Sequence, residues 1–180
     1  LHNSFKTRKL TIPQDLCYLE GQFREDYLHD MCICQHWAQI NRKLIVILIM
    51  DFIVEKGLAS SEEHFQPFES VHNYIGNDNM IRKGAISARL GEKCIIPLNM
   101  RDGSLICIGK GNEDWNYSAP HGAGRIMSRS QAFKEISLED FKKSMEDVYS
   151  ETVTEYTKDE SPMVYKSKYE IMDNIKDTVD

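Results

Sequence analysis

The apolar run LIVILIMDFIV, residues 44–54, sets the first limit on what this chain can fold into. Asp51 interrupts it, and it is shorter than the roughly 20 residues a helix needs to cross a bilayer. It therefore predicts a buried helix end rather than a membrane span. The pattern is helical over residues 22–56, with Tyr27, Met31, Cys34, Trp37, Ala38, Asn41, Ile45 and Leu48 recurring at steps of three and four. Gly57 follows as the C-cap. The pattern is long for one globular helix and leaves room for a kink. Before it, LHNSFKTRKL is polar and basic without a period, and residues 11–21 read as a loop with a short turn closed by Gly21.

Beyond the helix the period changes. FESVHNYI, residues 68–75, reads as a short strand that breaks at GNDN. From Met80 to Asn112, strand-like runs alternate with turns: Gly91 and Glu92 predict a hairpin turn before KCIIPL, and RDGS turns the chain into LICIG. After Ala132 the pattern is helical again, with Ser137 and Asp140 placed three apart as in a capping box. TEYTKDESPMVYKS reads as a loop, and SKYEIMDNIKDTVD as a last helix running to Asp180. The fold class expected is α+β, an antiparallel sheet flanked by helices.

A chain of 180 residues is long enough for one domain with a real core. The formal net charge of -6 argues against holding nucleic acid by bulk charge, but it leaves room for a local basic groove. The five cysteines, Cys17, Cys32, Cys34, Cys94 and Cys107, are odd in number and form no paired CxxC knuckles. They read as reduced thiols of a cytoplasmic protein, each a small buried hydrophobe.

The densest chemistry lies in SAPHGAGRIMSRSQA, residues 118–132. Gly122 and Gly124 let the backbone approach a bulky ligand and permit positive φ. Consecutive N–H groups in such a turn can form an anion-binding nest. Arg125 and Arg129 are four apart, so on a helix they share a face and offer bidentate donors to phosphate. Ser128 adds a hydroxyl. An imidazole is largely unprotonated at neutral pH, so His121 can attack a phosphate and become a phosphoramidate. The competing reading is a glycine-rich helix start with exposed arginines.

Other residues divide in the same way. His72, at a strand end beside Asn73, suits metal ligation, though taken alone a hydrogen-bonded core histidine is the expectation. Arg82 and Lys83 before Gly84 suit a phosphate backbone, or a solvated strand end. Asn99 and Ser104 can read a base or ribose edge, or serve as ordinary turn residues. Trp115 and Tyr117 can stack on a base, though packing is the expectation.

VHNYI, IRKGAISA, IIPLNM, DGSLI and SAPHGAGRIMSRSQA, in this order, resemble the C-terminal half of the RtcB-type RNA-splicing ligases. The resemblance covers most of the chain and implies a single partial catalytic domain over residues 1–180. It implies an enzyme that uses GTP and manganese to join RNA ends bearing a 3'-phosphate or 2',3'-cyclic phosphate to 5'-hydroxyl ends, with tRNA halves or broken RNA as partners and possible dependence on an activating protein. It makes His121 the guanylylated nucleophile, with Gly122, Ala123 and Gly124 lining the guanylate. His72 becomes a manganese ligand, and Asn73 a contact to the nucleotide. Pro97, Leu98, Asn99, Met100 and Ser104 become guanylate contacts, Leu98 and Asn99 mainly through backbone, and Tyr165 is a further candidate.

The family's N-terminal metal ligands and its C-terminal lysine have no match here, so the chain reads as truncated at both ends, with weak or no ligase activity alone. Two other functions remain open: a non-catalytic remnant that binds a nucleotide or a partner, and a phosphohistidine phosphotransferase.

Overall fold

The computed structural model describes Pro13, residues 16–60 and residues 67–180, in two compact units, residues 1–65 and residues 66–180. The polar first stretch, His2 included, lies outside the described residues.

The first unit is dominated by one helix, α1, Gly21–Glu55. It ends as the sequence predicts. Gly57 takes φ 68°, its N–H donates to the Val54 carbonyl, and the Leu58 N–H reaches back to Ile53. That is a Schellman close, which satisfies carbonyls the last turn would otherwise leave unpaired. The expected buried helix end is not met: no residue of α1 is buried, and Leu44, Ile47, Leu48 and Phe52 are all exposed. Its own unit offers no second described element to cover it, and its apolar residues are spread around the helix rather than gathered on one stripe. Among the described residues no helix is long and apolar enough to cross a membrane.

The second unit is built on short antiparallel pairs. β1, Tyr74–Ile75, pairs with β2, Ile81–Arg82. β3, Ala85–Ser87, pairs with β6, Ser118–Pro120. β4, Lys93–Asn99, pairs with β5, Gly103–Ile108, around the RDG turn. β4 alternates as a half-buried strand must: Cys94, Ile96 and Leu98 point into the core, while Lys93 and Pro97 face out. Gly91 does turn the chain, but not into a hairpin, because β3 pairs with β6 and leaves β4 to β5.

Two other expectations need correction. The strand expected over residues 68–75 shrinks to β1, because Asn73 takes a left-handed φ of 59° that breaks an extended run. The last helix, α4, Lys168–Asn174, stops well before the chain does. Ile108 and Asp180 exchange backbone hydrogen bonds at 2.9 Å each, and the Lys110 N–H donates to Thr178, so residues 178–180 extend the β4–β5 ladder along the free edge of β5. The loop expected at residues 154–167 instead holds two 3-10 turns, Glu155–Glu160 and Pro162–Val164.

Helices α2, Arg129–Glu135, α3, Leu138–Ser144, and α4 each begin at a serine. Ser128, Ser137 and Ser167 accept the N–H three residues on, at 3.2, 3.0 and 3.2 Å. Each cap satisfies an orphan donor and is worth about 1 kcal/mol. The helices and sheets enclose two apolar clusters. One joins Ile86, Ile96, Leu98 and Ala119 to Ile171 and Ile175 of the C-terminal segment; the other gathers Ala132, Ile136, Phe141, Met145 and Val164. Tyr165 packs against both.

The cysteines split. Cys94 and Cys107 are buried and face each other across β4–β5, as small core residues do, whereas Cys32 and Cys34 are exposed on α1, against expectation. Burial, with the neighbouring Cys107 second, pushes the Cys94 thiol up to about 11. Burial raises Cys107 as well. The thiolate is the nucleophile, so the expected result of alkylation near neutral pH is modification of Cys32 and Cys34 in the native protein, with Cys94 and Cys107 reacting after denaturation. Peptide mapping of iodoacetamide adducts checks this, and fast native labelling of Cys94 would contradict it.

Candidate active site around His121

The register of β3 against β6 places Ala85 opposite Pro120. The residues just outside that pair, Gly84 and His121, are therefore brought together. The His121 Nδ1 lies 2.6 Å from the Gly84 carbonyl oxygen. A carbonyl only accepts, so Nδ1 carries a proton, and in the neutral ring the lone pair is on Nε2. On the other side of the same residue, the Gly84 N–H donates to Asn73 Oδ1 at 2.9 Å. Gly84 holds φ 68°, a left-handed conformation suited to glycine, and a Cβ there would stand 3.6 Å from the imidazole Cε1. The His72 ring stacks on His121, with centroids 5.0 Å apart and planes 21° from parallel. His72, Asn73, Gly84 and His121 thus form one cluster, with both imidazoles exposed.

The loop after His121 is pinned to β4. The Ala123 N–H donates to the Pro97 carbonyl at 3.1 Å. A Cβ on Gly122 would approach that same oxygen to 3.2 Å, so the close passage favours glycine. Gly124 takes φ 73°, and its carbonyl accepts from the Lys166 N–H at 3.1 Å. An anion nest built from successive N–H groups is therefore incomplete, since Ala123 has given its donor to Pro97. Ser104 is exposed opposite Pro97 on the paired strand.

Several candidates have structural duties instead. Leu98 and Ala123 are buried in the core. Asn99 Oδ1 accepts from the N–H groups of Arg101 and Asp102, and its Nδ2 donates to Asp102, which is turn chemistry. Met100 packs against the cluster around Phe141. Arg125 lies ahead of α2 rather than on it, so the shared helical face expected of Arg125 and Arg129 does not form. Both arginines turn to the same acidic turn: Arg125 donates to the Asp159 carbonyl and the Met127 carbonyl, and Arg129 pairs with Asp159 and, at 2.9 Å, with Glu160. The Tyr165 hydroxyl donates to Glu160, and burial, then that hydrogen bond, raises its phenol. Arg82 is buried, not a solvated strand end.

Sequence reasoning missed Gly84, whose N–H holds Asn73 and whose carbonyl holds His121. The signal was the glycine in IRKGA, read there as part of a phosphate contact.

The turn at the far end of β4 carries a pH-dependent element. Arg101 first, and also Asn99, hold the Asp102 carboxyl below the usual carboxylate range, with the Lys168 Nζ 3.8 Å away on α4. The folded value is depressed, so this stabilisation is present above the unfolded value of 3.8 and is lost as pH falls through the folded value. Urea melts taken from about pH 7 to about pH 3 should lose stability at the acid end, and less of it in Asp102→Asn. An identical acid limb in both proteins would exclude Asp102 as a contributor.

Among the described residues no group of three or more His, Cys, Asp or Glu side chains could hold a metal ion. His72 brings one imidazole, and a manganese site needs several donors, so the described residues alone do not fit that ion.

The chain matches the family described as tRNA-splicing ligase RtcB over residues 3–179. It is 34% identical to the RNA-splicing ligase RtcB of Escherichia coli strain K12, over 94% of this chain and 45% of that protein. The RNA-splicing ligase RtcB1 of another Escherichia coli strain gives the same identity and the same shares. The chain therefore spans a little under half the length of the curated relatives it matches.

Proposed function

This chain belongs to the tRNA-splicing ligase RtcB family, and from that premise we propose that it carries the nucleophile of a GTP-dependent RNA ligase, His121. The observation that supports this best is the hydrogen bond from His121 Nδ1 to the Gly84 carbonyl, which fixes the tautomer and leaves the Nε2 lone pair for attack. Nε2 attacks the α-phosphorus of GTP; a P–N bond forms, the α–β phosphoanhydride bond breaks, and pyrophosphate leaves. Positive charge gathers on the ring in that step, and the Gly84 carbonyl stabilises it through the Nδ1 proton. An oxygen of the RNA 3'-phosphate then displaces Nε2 from phosphorus, which returns the lone pair to the ring. The 5'-hydroxyl finally attacks the RNA phosphate, and GMP leaves.

Pro97, Ser104 and the Gly122–Ala123–Gly124 backbone form the surface on which the guanylate rests in this reading. Asn73 acts through Gly84, as a positioning residue, as well as toward the nucleotide. Manganese has one donor here in His72, and would draw the rest from beyond the described residues.

The test is incubation with GTP labelled at the α- or γ-phosphate, with the chain alone and with a polypeptide covering the rest of the relatives' length. Acid-labile, alkali-stable α-label supports the reading, and γ-label would point to phosphotransfer instead. The single imidazole available for a metal favours a second reading, a nucleotide- or partner-binding unit without catalysis. A folded chain that takes no label in either incubation would select it.

A further inference from the structure

A cleft of about 420 Å³ opens beside the His121 cluster, reaching from Met80 to Trp115. Its volume lies within the roughly 300–1,000 Å³ of small-ligand sites. Two of its walls, Gly84 and Pro120, are the direct neighbours of His121 by hydrogen bond and by chain. The chain has 28 acidic against 22 basic residues, yet none of the described residues lining this cleft is acidic, and Lys83 and Arg82 both line it.

Trp115 was expected to pack, but it is 55% exposed. It sits at the end of a 3-10 turn, Glu113–Trp115, capped by the Asn112 side chain, which accepts the Asp114 N–H at 3.0 Å. The next two residues, Asn116 and Tyr117, hold φ of 51° and 52°, a conformation L residues adopt rarely. Arg82, 3% exposed, keeps them there. Its guanidinium donates to the Asn116 and Tyr117 carbonyls at 3.4 Å each and to Ser118 Oγ at 2.9 Å. A buried charge thus holds a strained turn that presents an indole to solvent at the mouth of the cleft. Such strain tends to gather at ligand clamps.

We propose that this cleft takes an unpaired nucleotide of RNA close to the end being joined, its base stacked on Trp115 and its phosphate toward Lys83. An aromatic platform with a neighbouring cation suits single-stranded nucleic acid, whose bases are free to stack. The inference rests on the ligase reading for its choice of RNA, and it adds where the strand lies outside the guanylate position.

Trp37 and Trp115 are the two tryptophans, so a Trp37→Phe chain reports from Trp115 alone. Titration with a short single-stranded RNA carrying a 3'-phosphate is expected to quench that emission in a saturable way, with duplex RNA quenching far less. Binding read by polarisation of labelled RNA should weaken roughly 5- to 150-fold in Trp115→Ala, with Trp115→Phe recovering part of the loss. Lys83→Ala should lower the slope of log affinity against log salt by about one. Absence of quenching in the folded Trp37→Phe chain, equal quenching by duplex, or unchanged affinity in both Trp115 variants would overturn the proposal. Guanylate labelling, of the parent chain alone and together with the polypeptide covering the rest of the relatives' length, is read separately. Label without quenching sinks the cleft and leaves the ligase reading standing, whereas quenching without label keeps the cleft and removes the ligase reading.

Discussion

In His121→Ala, covalent guanylate on the protein is expected to fall to background, a loss on the order of 1,000-fold or more, as when a nucleophile is removed from an enzyme that attacks through it. The size of the effect follows from geometry. Nδ1 is committed to the Gly84 carbonyl at 2.6 Å, so Nε2 is the ring nitrogen with a lone pair to give. His72 stacks beside it at 5.0 Å between centroids, close enough to be suspected as a substitute. Its ring has no comparable anchor to Gly84, so an alanine at 121 should not pass the reaction to it. His121→Asn separates chemistry from architecture. An asparagine amide can still donate to the Gly84 carbonyl from about the Nδ1 position, so the loop should keep its place, yet it has no nucleophilic nitrogen. The expected result is a folded Asn variant, with a thermal melt close to the parent's, that takes no label from α-labelled GTP. Label retained in either variant, or moved to His72 in a peptide map, would refute the assignment. His72→Ala is the companion measurement, and label surviving there would place His72 outside the attack itself.

The sequence made some of this legible for reasons that can be stated. Motifs whose side chains act locally read correctly: the serine cap at Ser137, the RDG turn between β4 and β5, and the Gly57 close of α1 are each set by a few adjacent residues. Of the glycines around His121, Gly124 takes the positive φ expected of it, while Gly122 passes close to the Pro97 carbonyl. What failed depended on distant partners. Arg125 and Arg129 looked like a phosphate clamp, but Asp159 and Glu160, some thirty positions on, claim them. Arg82 looked solvated, but carbonyls more than thirty positions away bury it. The end of the chain looked helical because SKYEIMDNIKDTVD carries no stop signal, and the free edge of β5 then bonded to residues 178–180. The stretch 44–54 predicted a buried helix end from its apolar composition, and that failed, since among the described residues nothing in its unit covers it.

Phe141→Ala should be the most damaging single change to the stability of the second unit. The ring is fully buried, at 0% exposure, on the inner side of α3, among Ala132, Ile136, Met145 and Val164. Truncating a buried phenylalanine costs about 3–5 kcal/mol, through lost transfer energy and the cavity left behind. For a unit of this size that is a fall of roughly 10–25 °C in Tm. The loss should reach the candidate site around His121 by a definite route. The Val164 carbonyl accepts the Ile126 N–H at 2.8 Å, and the Lys166 N–H holds Gly124, so the cluster around Phe141 supports the segment that follows His121. Guanylate labelling in Phe141→Ala should therefore fail at a temperature below its global melt, as the Gly124–Ile126 segment loosens first. Phe133, on the neighbouring α2 and 41% exposed, is the control. Its replacement by alanine opens little cavity and should move Tm by a small fraction of that amount. Phe141→Leu, which keeps most of the volume, should recover all but about 1.5 kcal/mol. Equal losses at positions 133 and 141 would mean that burial of the α3 ring is not what holds this unit together.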